Sequence, residues 1–330
     1  MLFNDLDFLF LFLPATAVAT IVMPRRWRTQ VLLLASLVFY GFSGIGHLTL
    51  LVISILWVYG VTSLRHYAGS PLLLILAISL PFAFLLAFKY WLFIAQDVLG
   101  LTVASFGSLP VFADPALPAG ISFFTFHLIS YAVDRSEGQI PQRPGFTAFA
   151  TYVAFFPQLV AGPITRWREV GDQIRAIPWF RLDWTQADIG LRFVVIGYAF
   201  KVILADGLSA ATAPLMAADS LHAFDLAYLM LGYSFRIYFD FCGYSLIAIG
   251  LARMFGVVLP RNFAMPYRAL NPREFWRRWH MTLSFWLRDY LYIRLGGNRR
   301  YVRNILITFL LCGLWHGAGF QFIAWGGYHA

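Results

Sequence analysis

Residues 271–296 read NPREFWRRWHMTLSFWLRDYLYIRLG. Pro272 sits early, where a proline opens a helix without losing a needed hydrogen bond. Apolar residues then recur at Phe275, Trp276, Trp279, Leu283, Trp286, Leu287 and Tyr290, the spacing of one helix face. The other face carries Arg273, Arg277, His280, Ser284 and Arg288. The stretch predicts an amphipathic helix that is too charged to cross lipid alone. It must lie along an interface or dip into a protein-lined cavity, and its surroundings decide which.

Those surroundings are a membrane. Of 330 residues, 60% are hydrophobic and 12% charged, where a soluble domain carries about 25% charged residues. Mean hydropathy is +0.68. The aromatic content of 18% suits interface belts and packed cavities. Apolar runs at 8–23, 29–43, 48–64, 71–95, 117–133, 147–162, 187–205, 224–251 and 303–316 predict membrane spans. Residues 96–112 read as a weaker, short or re-entrant helix, and 318–330 begin another apolar helix. Several runs are short and broken by glycine or proline. Irregular backbone survives at membrane depth only when buried in protein or lining a wet cavity. The expected fold is therefore an all-α polytopic membrane protein, a ring-like bundle of about 9–11 membrane helices around a central cavity, with interfacial or re-entrant helices. No repeat or linker marks a second domain. Residues 1–330 read as one unit, with 1–112 as N-terminal helices and 113–330 as the core.

Arginine supplies 23 of the 25 cations, Lys89 and Lys201 being the only lysines, and the net charge is +9. Nine arginines fall between Arg268 and Arg303 against Glu274 and Asp289, a local excess of +7. That cluster is either a docking face for anionic groups or a cytoplasmic, positive-inside face. The N-terminus, MLFNDLDFLFLFLP, is acidic where a signal peptide is basic, and Arg25, Arg26 and Arg28 follow it. This order places the N-terminus outside and the first loop in the cytoplasm. Residues 135–146 and 162–186 are polar loops, and Arg65, Arg135 and Arg166 are expected to snorkel at membrane boundaries. Cys242 and Cys312 form no CxxC and no disulfide framework.

Ionisable residues inside apolar segments are costly and mark candidate sites. His316 lies in LLCGLWHGAG (310–319), with glycines around it and no opposite charge within a helical turn. It reads equally as a general acid or base and as a core histidine with one hydrogen bond. His280 has Arg277 one turn before it and Arg288 about two turns after it, which disfavour its protonated form. It reads as a neutral base or ligand, or as an interfacial histidine. No third ligand at recognisable spacing supports a metal site. Arg236 and Asp240, four residues apart among Tyr233, Tyr238 and Tyr244, form either a cavity wall or an internal ion pair. His127 is also intramembrane. The chain has no P-loop, GxSxG, HExxH or GxGxxG motif, so ATP hydrolysis and serine-hydrolase chemistry are unsupported. The basic cluster lies on a membrane helix, which argues against nucleic-acid binding.

Five runs together resemble the membrane-bound O-acyltransferase family in its bacterial polysaccharide branch. They are LPAGISFFTFHLISYAVD (117–134), FFPQLVAGPITR (155–166), FRIYFDFCGYSLIAIGLARMFGVVLPRNFAMPY (235–267), EFWRRWHMTLSFWLRDYLYIRLGGNR (274–299) and GLWHGAGFQFIAWGGYH (313–329), in family order. The resemblance implies that His316 is the catalytic histidine and His280 the second histidine of the tunnel. It implies an O-acyltransferase of the bacterial inner membrane, most simply an acetyltransferase acting on an exported polysaccharide such as alginate. Trp279, Trp315, Tyr244, Arg236, Asp240 and His127 are expected to line the cavity, and Arg273, Arg277, Arg278 and Arg288 to dock the donor. That donor is acetyl-CoA or another acyl carrier thioester, a co-substrate rather than a tightly bound cofactor. Expected partners are the exported acceptor polymer, periplasmic acetylation and export proteins, and membrane lipid. The family has serine and aspartate where this chain has Cys242 and Leu246, and often glutamine at His127. Its members continue through further membrane helices, so the chain reads as C-terminally truncated. Two acceptors compete with alginate within the same chemistry, peptidoglycan for O-acetylation and teichoic acid for D-alanyl transfer. Outside it stands a non-catalytic transporter or flippase subunit, against which the lack of paired inverted repeats argues.

Overall fold

A computed structural model describes the chain except for Leu2, residues 102–116 and 180–182, and Asp219. Every regular element among the described residues is helical, and the protein is an all-α polytopic membrane protein. Among the described residues, four helices are long and apolar enough to cross a membrane: Ile45–Thr62, Pro71–Tyr90, Trp184–Met216 and Ala223–Met254. Large apolar side chains on them stand exposed, among them Leu72, Ile75, Phe82, Leu191, Val195 and Ile203. Lipid is the solvent that tolerates such a surface.

Local chemistry sets the helix ends. Ser70 caps the Pro71 helix by accepting from the Leu73 amide at 3.4 Å, and Pro71 occupies the first turn. Asp183 caps the Trp184 helix by accepting from Thr185 and Gln186 amides at 2.8 and 3.4 Å. The Trp184 and Ala223 helices pack through glycine. A Cβ on Gly190 would fall 2.7 Å from the Gly250 carbonyl oxygen, and one on Gly197 would fall 2.7 Å from that of Gly243. Two backbones thus touch where side chains would hold them apart, as small residues permit inside membranes.

Shorter helices fill the interior. The run expected to span at 147–162 is two pieces, Phe146–Ala154 and Phe156–Leu159, with non-helical backbone at Phe155. Phe149, Tyr152, Phe155 and Phe156 are fully buried, so this segment meets protein rather than lipid. Of the weaker helix expected at 96–112, the start belongs to the π-helical turn Phe93–Val98, and 102–112 lie outside the described residues. Arg166 does not snorkel. It is buried and pairs with Asp289 at 2.6 Å.

The stretch 271–296 is not one helix. It forms Pro272–Arg278, a break, Met281–Leu287 and a π-helical turn at Arg288–Tyr292. The break falls at His280, whose φ of 42° is left-handed. Apolar spacing persists across the break, which is why periodicity alone reads it as continuous.

Candidate active site

His280 sits on that break because side chains from several segments hold it there. The Met281 amide donates to the Asn262 carbonyl at 2.9 Å. Asn262 Oδ1 accepts from the Thr282 hydroxyl at 2.9 Å and from its amide at 3.4 Å. Asn262 Nδ2 donates to Ser245 Oγ at 3.1 Å, and Thr282 Oγ1 accepts from the Ile164 amide at 3.0 Å. Ser245, Asn262 and Thr282 are all buried, so each bond is made away from competing water. The His280 ring is also buried, edge-on to Phe241 at 4.6 Å, and neither ring nitrogen has a hydrogen-bond partner among the described residues. Burial first, and then His316 nearby, push its pKa well below the usual histidine range. A neutral imidazole with free nitrogens is the result.

His316 ends the helix Tyr301–His316. The last carbonyls of a helix have no partner within it, and here neighbours supply them. The Tyr90 hydroxyl donates to the Leu314 carbonyl at 2.8 Å, and Lys89 Nζ donates to the Trp315 carbonyl. Gly313 answers for part of the glycine pattern, since a Cβ there would collide with the Phe322 carbonyl of the next helix, Phe320–His329. The space is taken by protein backbone. That close approach sets Trp325 edge-on to His316 at 5.1 Å, with Trp315 on another side at 4.9 Å.

Both histidines line one cavity of about 440 Å³. Trp276, Trp279, Cys312 and His329 share its wall, and Arg273, Arg277 and Arg288 stand on it as well. Arg273 and Arg277 have no ion-pair partner among the described residues, whereas Arg278 is held by Glu274 at 2.5 Å and does not line the cavity. His316 also borders a second cavity of about 190 Å³, lined by Lys89, Ser122, Phe123 and Trp315. His316 is exposed and faces both hollows. Such a ring can accept a proton from a group in one cavity while facing a group in the other.

Residues 47–330 match the model of the membrane-bound O-acyltransferase family. The chain belongs to that family. A probable alginate O-acetylase of Pseudomonas putida is 39% identical, covering 100% of this chain and 69% of the relative. That of Pseudomonas aeruginosa is 40% identical, with 100% and 64% covered. A peptidoglycan O-acetyltransferase of Helicobacter pylori is 37% identical, with 100% and 69% covered. The chain thus spans about two thirds of the length of these relatives.

In this O-acyltransferase, other residues expected at the site stand apart from the histidines. Asp240 pairs not with Arg236 but with Lys201 at 2.7 Å, and Lys201 also holds Asp206 at 2.8 Å. Tyr244 stacks on Phe3 at 4.7 Å. His127 is fully buried, and its Nε2 accepts from the Thr165 amide at 3.3 Å, the geometry of a core histidine. None of Arg236, Asp240, Tyr244 and His127 lines the cavity that His280 and His316 share. Trp279 does line it, and Trp315 borders the second cavity. Sequence reasoning passed over Lys89 and His329. Lys89 carried a signal, an ammonium inside the apolar run 71–95.

Proposed function

We propose that this membrane protein transfers an acyl group, most simply acetyl, from a cytoplasmic thioester to a hydroxyl of an exported polysaccharide, with His316 as general base. One observation carries the reading: His316 lies where an arginine-bearing cavity and a second cavity meet. The larger cavity, with unpaired Arg273 and Arg277, suits a donor rich in phosphate, such as a coenzyme thioester. The acceptor hydroxyl gives its proton to a ring nitrogen of His316 as its oxygen attacks the acyl carbon. The carbon–sulfur bond breaks, the thiolate leaves and takes up a proton, and an ester remains. His280 faces the same cavity and is the group placed to interact with the carbonyl oxygen as charge develops.

The relatives' names support alginate as the acceptor and make peptidoglycan the second to test. The acidic N-terminus followed by Arg25, Arg26 and Arg28 supports an inner-membrane protein with its N-terminus outside. Polymer ester content, measured in cells with His316→Ala at equal membrane abundance, tests the reading. Loss of a general base costs about 10²–10⁴-fold in rate, so esters should vanish. Unchanged ester content would falsify the assignment.

A further inference from the structure

We propose that the second cavity is an acceptor subsite for a carboxylate-bearing sugar unit and that Lys89 recognises the carboxylate. This rests on the acyl-transfer reading for what the bound sugar then does. The binding itself stands on the cavity.

The chain's two lysines make the argument. Lys201 is matched by two carboxylates, Asp206 and Asp240, at 2.8 and 2.7 Å. Lys89 is half-buried, and its hydrogen-bond partners among the described residues are neutral: the Ser122 hydroxyl at 3.1 Å and the Trp315 carbonyl. No carboxylate pairs with it among the described residues. An enclosed cation without a counter-charge is costly, and an ammonium has three donors, of which two are engaged. Its remaining neighbours are the Trp315 and Tyr90 rings at 5.5 and 5.7 Å, and Lys89 lines a cavity wall, so an anionic ligand there would offset the cost.

The rest of the wall fits a sugar. Phe123 and Trp315 meet edge-on at 5.6 Å and offer apolar faces, and Ser122 adds a hydroxyl. The volume of about 190 Å³ lies below the range of about 300–1,000 Å³ for sites of drug-sized ligands. A volume of that size suits one sugar unit. A carboxylate seated on Lys89 leaves the hydroxyls of the same ring beside His316, which borders the same cavity.

Equilibrium binding to the full chain in lipid nanodiscs tests this without turnover. The probes are a uronate hexamer and the same hexamer with its carboxyls reduced to alcohols. Wild type should prefer the uronate by about 10-fold or more, the worth of one charge-assisted hydrogen bond. Lys89→Gln removes the charge but keeps a donor for the Trp315 carbonyl. It should erase that preference and leave the reduced hexamer within about two-fold, and Lys89→Arg should restore most of it. Equal weakening of both hexamers in Lys89→Gln means a purely structural lysine and overturns the proposal, as does a wild type without preference. If Lys89→Gln fails to accumulate, the wild-type ratio decides. Lys89-dependent binding without ester formation leaves the subsite standing and defeats acyl transfer. Ester formation with no uronate preference does the reverse.

Discussion

His280 stands on a backbone bend and His316 on a helix end, and the two seats are built from different materials. The first is held by a buried hydrogen-bond clamp around its own loop, Asn262, Thr282 and Ser245, with a left-handed residue at its centre. The second is held from outside, by Tyr90 and Lys89 of another helix and by the close packing at Gly313. A left-handed non-glycine residue costs about 1–2 kcal/mol, so the His280 seat is strained and depends on its clamp. The His316 seat carries no such strain and depends on its neighbours' reach. One site thus combines a spring-loaded histidine with a docked one.

Breaking the clamp should have the largest effect. Asn262→Ala leaves the Thr282 amide and hydroxyl without their shared acceptor, and a buried unsatisfied group costs about 1–3 kcal/mol. The expectation is a lower melting temperature in detergent and a fall in turnover of about 10-fold or more. Wild-type turnover in Asn262→Ala at equal abundance would remove the clamp from the account. Next comes the bend itself. Asparagine tolerates left-handed backbone and valine does not, so His280→Asn should melt later than His280→Val by the equivalent of about 1–2 kcal/mol. Equal melting of the two would show that the bend relaxes when the ring is lost.

The docked histidine offers a gentler test. Tyr90→Phe removes one cap from the Leu314 carbonyl and should cost about 1 kcal/mol, read as a several-fold drop in turnover with donor KM unchanged. A loss as deep as that of Asn262→Ala would erase the distinction between the seats.

The smallest effect is expected at Asp289, just beyond the clamp. Burial works against its charge. The Arg288 hydrogen bond at 2.6 Å, with Arg166 and Arg168, outweighs burial and holds the carboxyl below the ordinary carboxylate value. A depressed carboxyl contributes stability above its unfolded pKa, about 3.9, and that contribution fades as pH falls through the lower folded value. Wild type should therefore lose its advantage over Asp289→Asn only below about pH 4. A gap that closes between pH 5 and 7 would point to another titrating group.

These seats differ in how far the sequence discloses them. Membrane class was legible from composition, and the family motifs pointed to His280 and His316, which the fold sets on one cavity. Arg273, Arg277 and Arg288 lie where the helical face put them, because their spacing survives the break at His280. The break itself was illegible, since Trp279–His280–Met281 contains no glycine or proline and its cause, Asn262, lies 18 residues upstream. The partner of Asp240 was misjudged for a related reason. Arg236 is near in sequence, whereas Lys201 reaches it from a neighbouring helix. Lys89 escaped notice because its meaning comes from Trp315 and Ser122, far along the chain.

The glycine-packed pair of long helices has a consequence for where this protein can work. Ala223–Met254 has 32 residues, about 48 Å at 1.5 Å per residue, against a hydrocarbon core of about 30 Å. A helix so much longer than its bilayer tilts or thickens the lipid around it. Joined at Gly190 and Gly197 to its neighbour, it must do so as part of a stiff two-helix beam. Ser245 rides on that beam and holds Asn262. The glycine-packed pair, Ser245 and Asn262 thus form one run of contacts from the lipid-facing helices to the bend at His280.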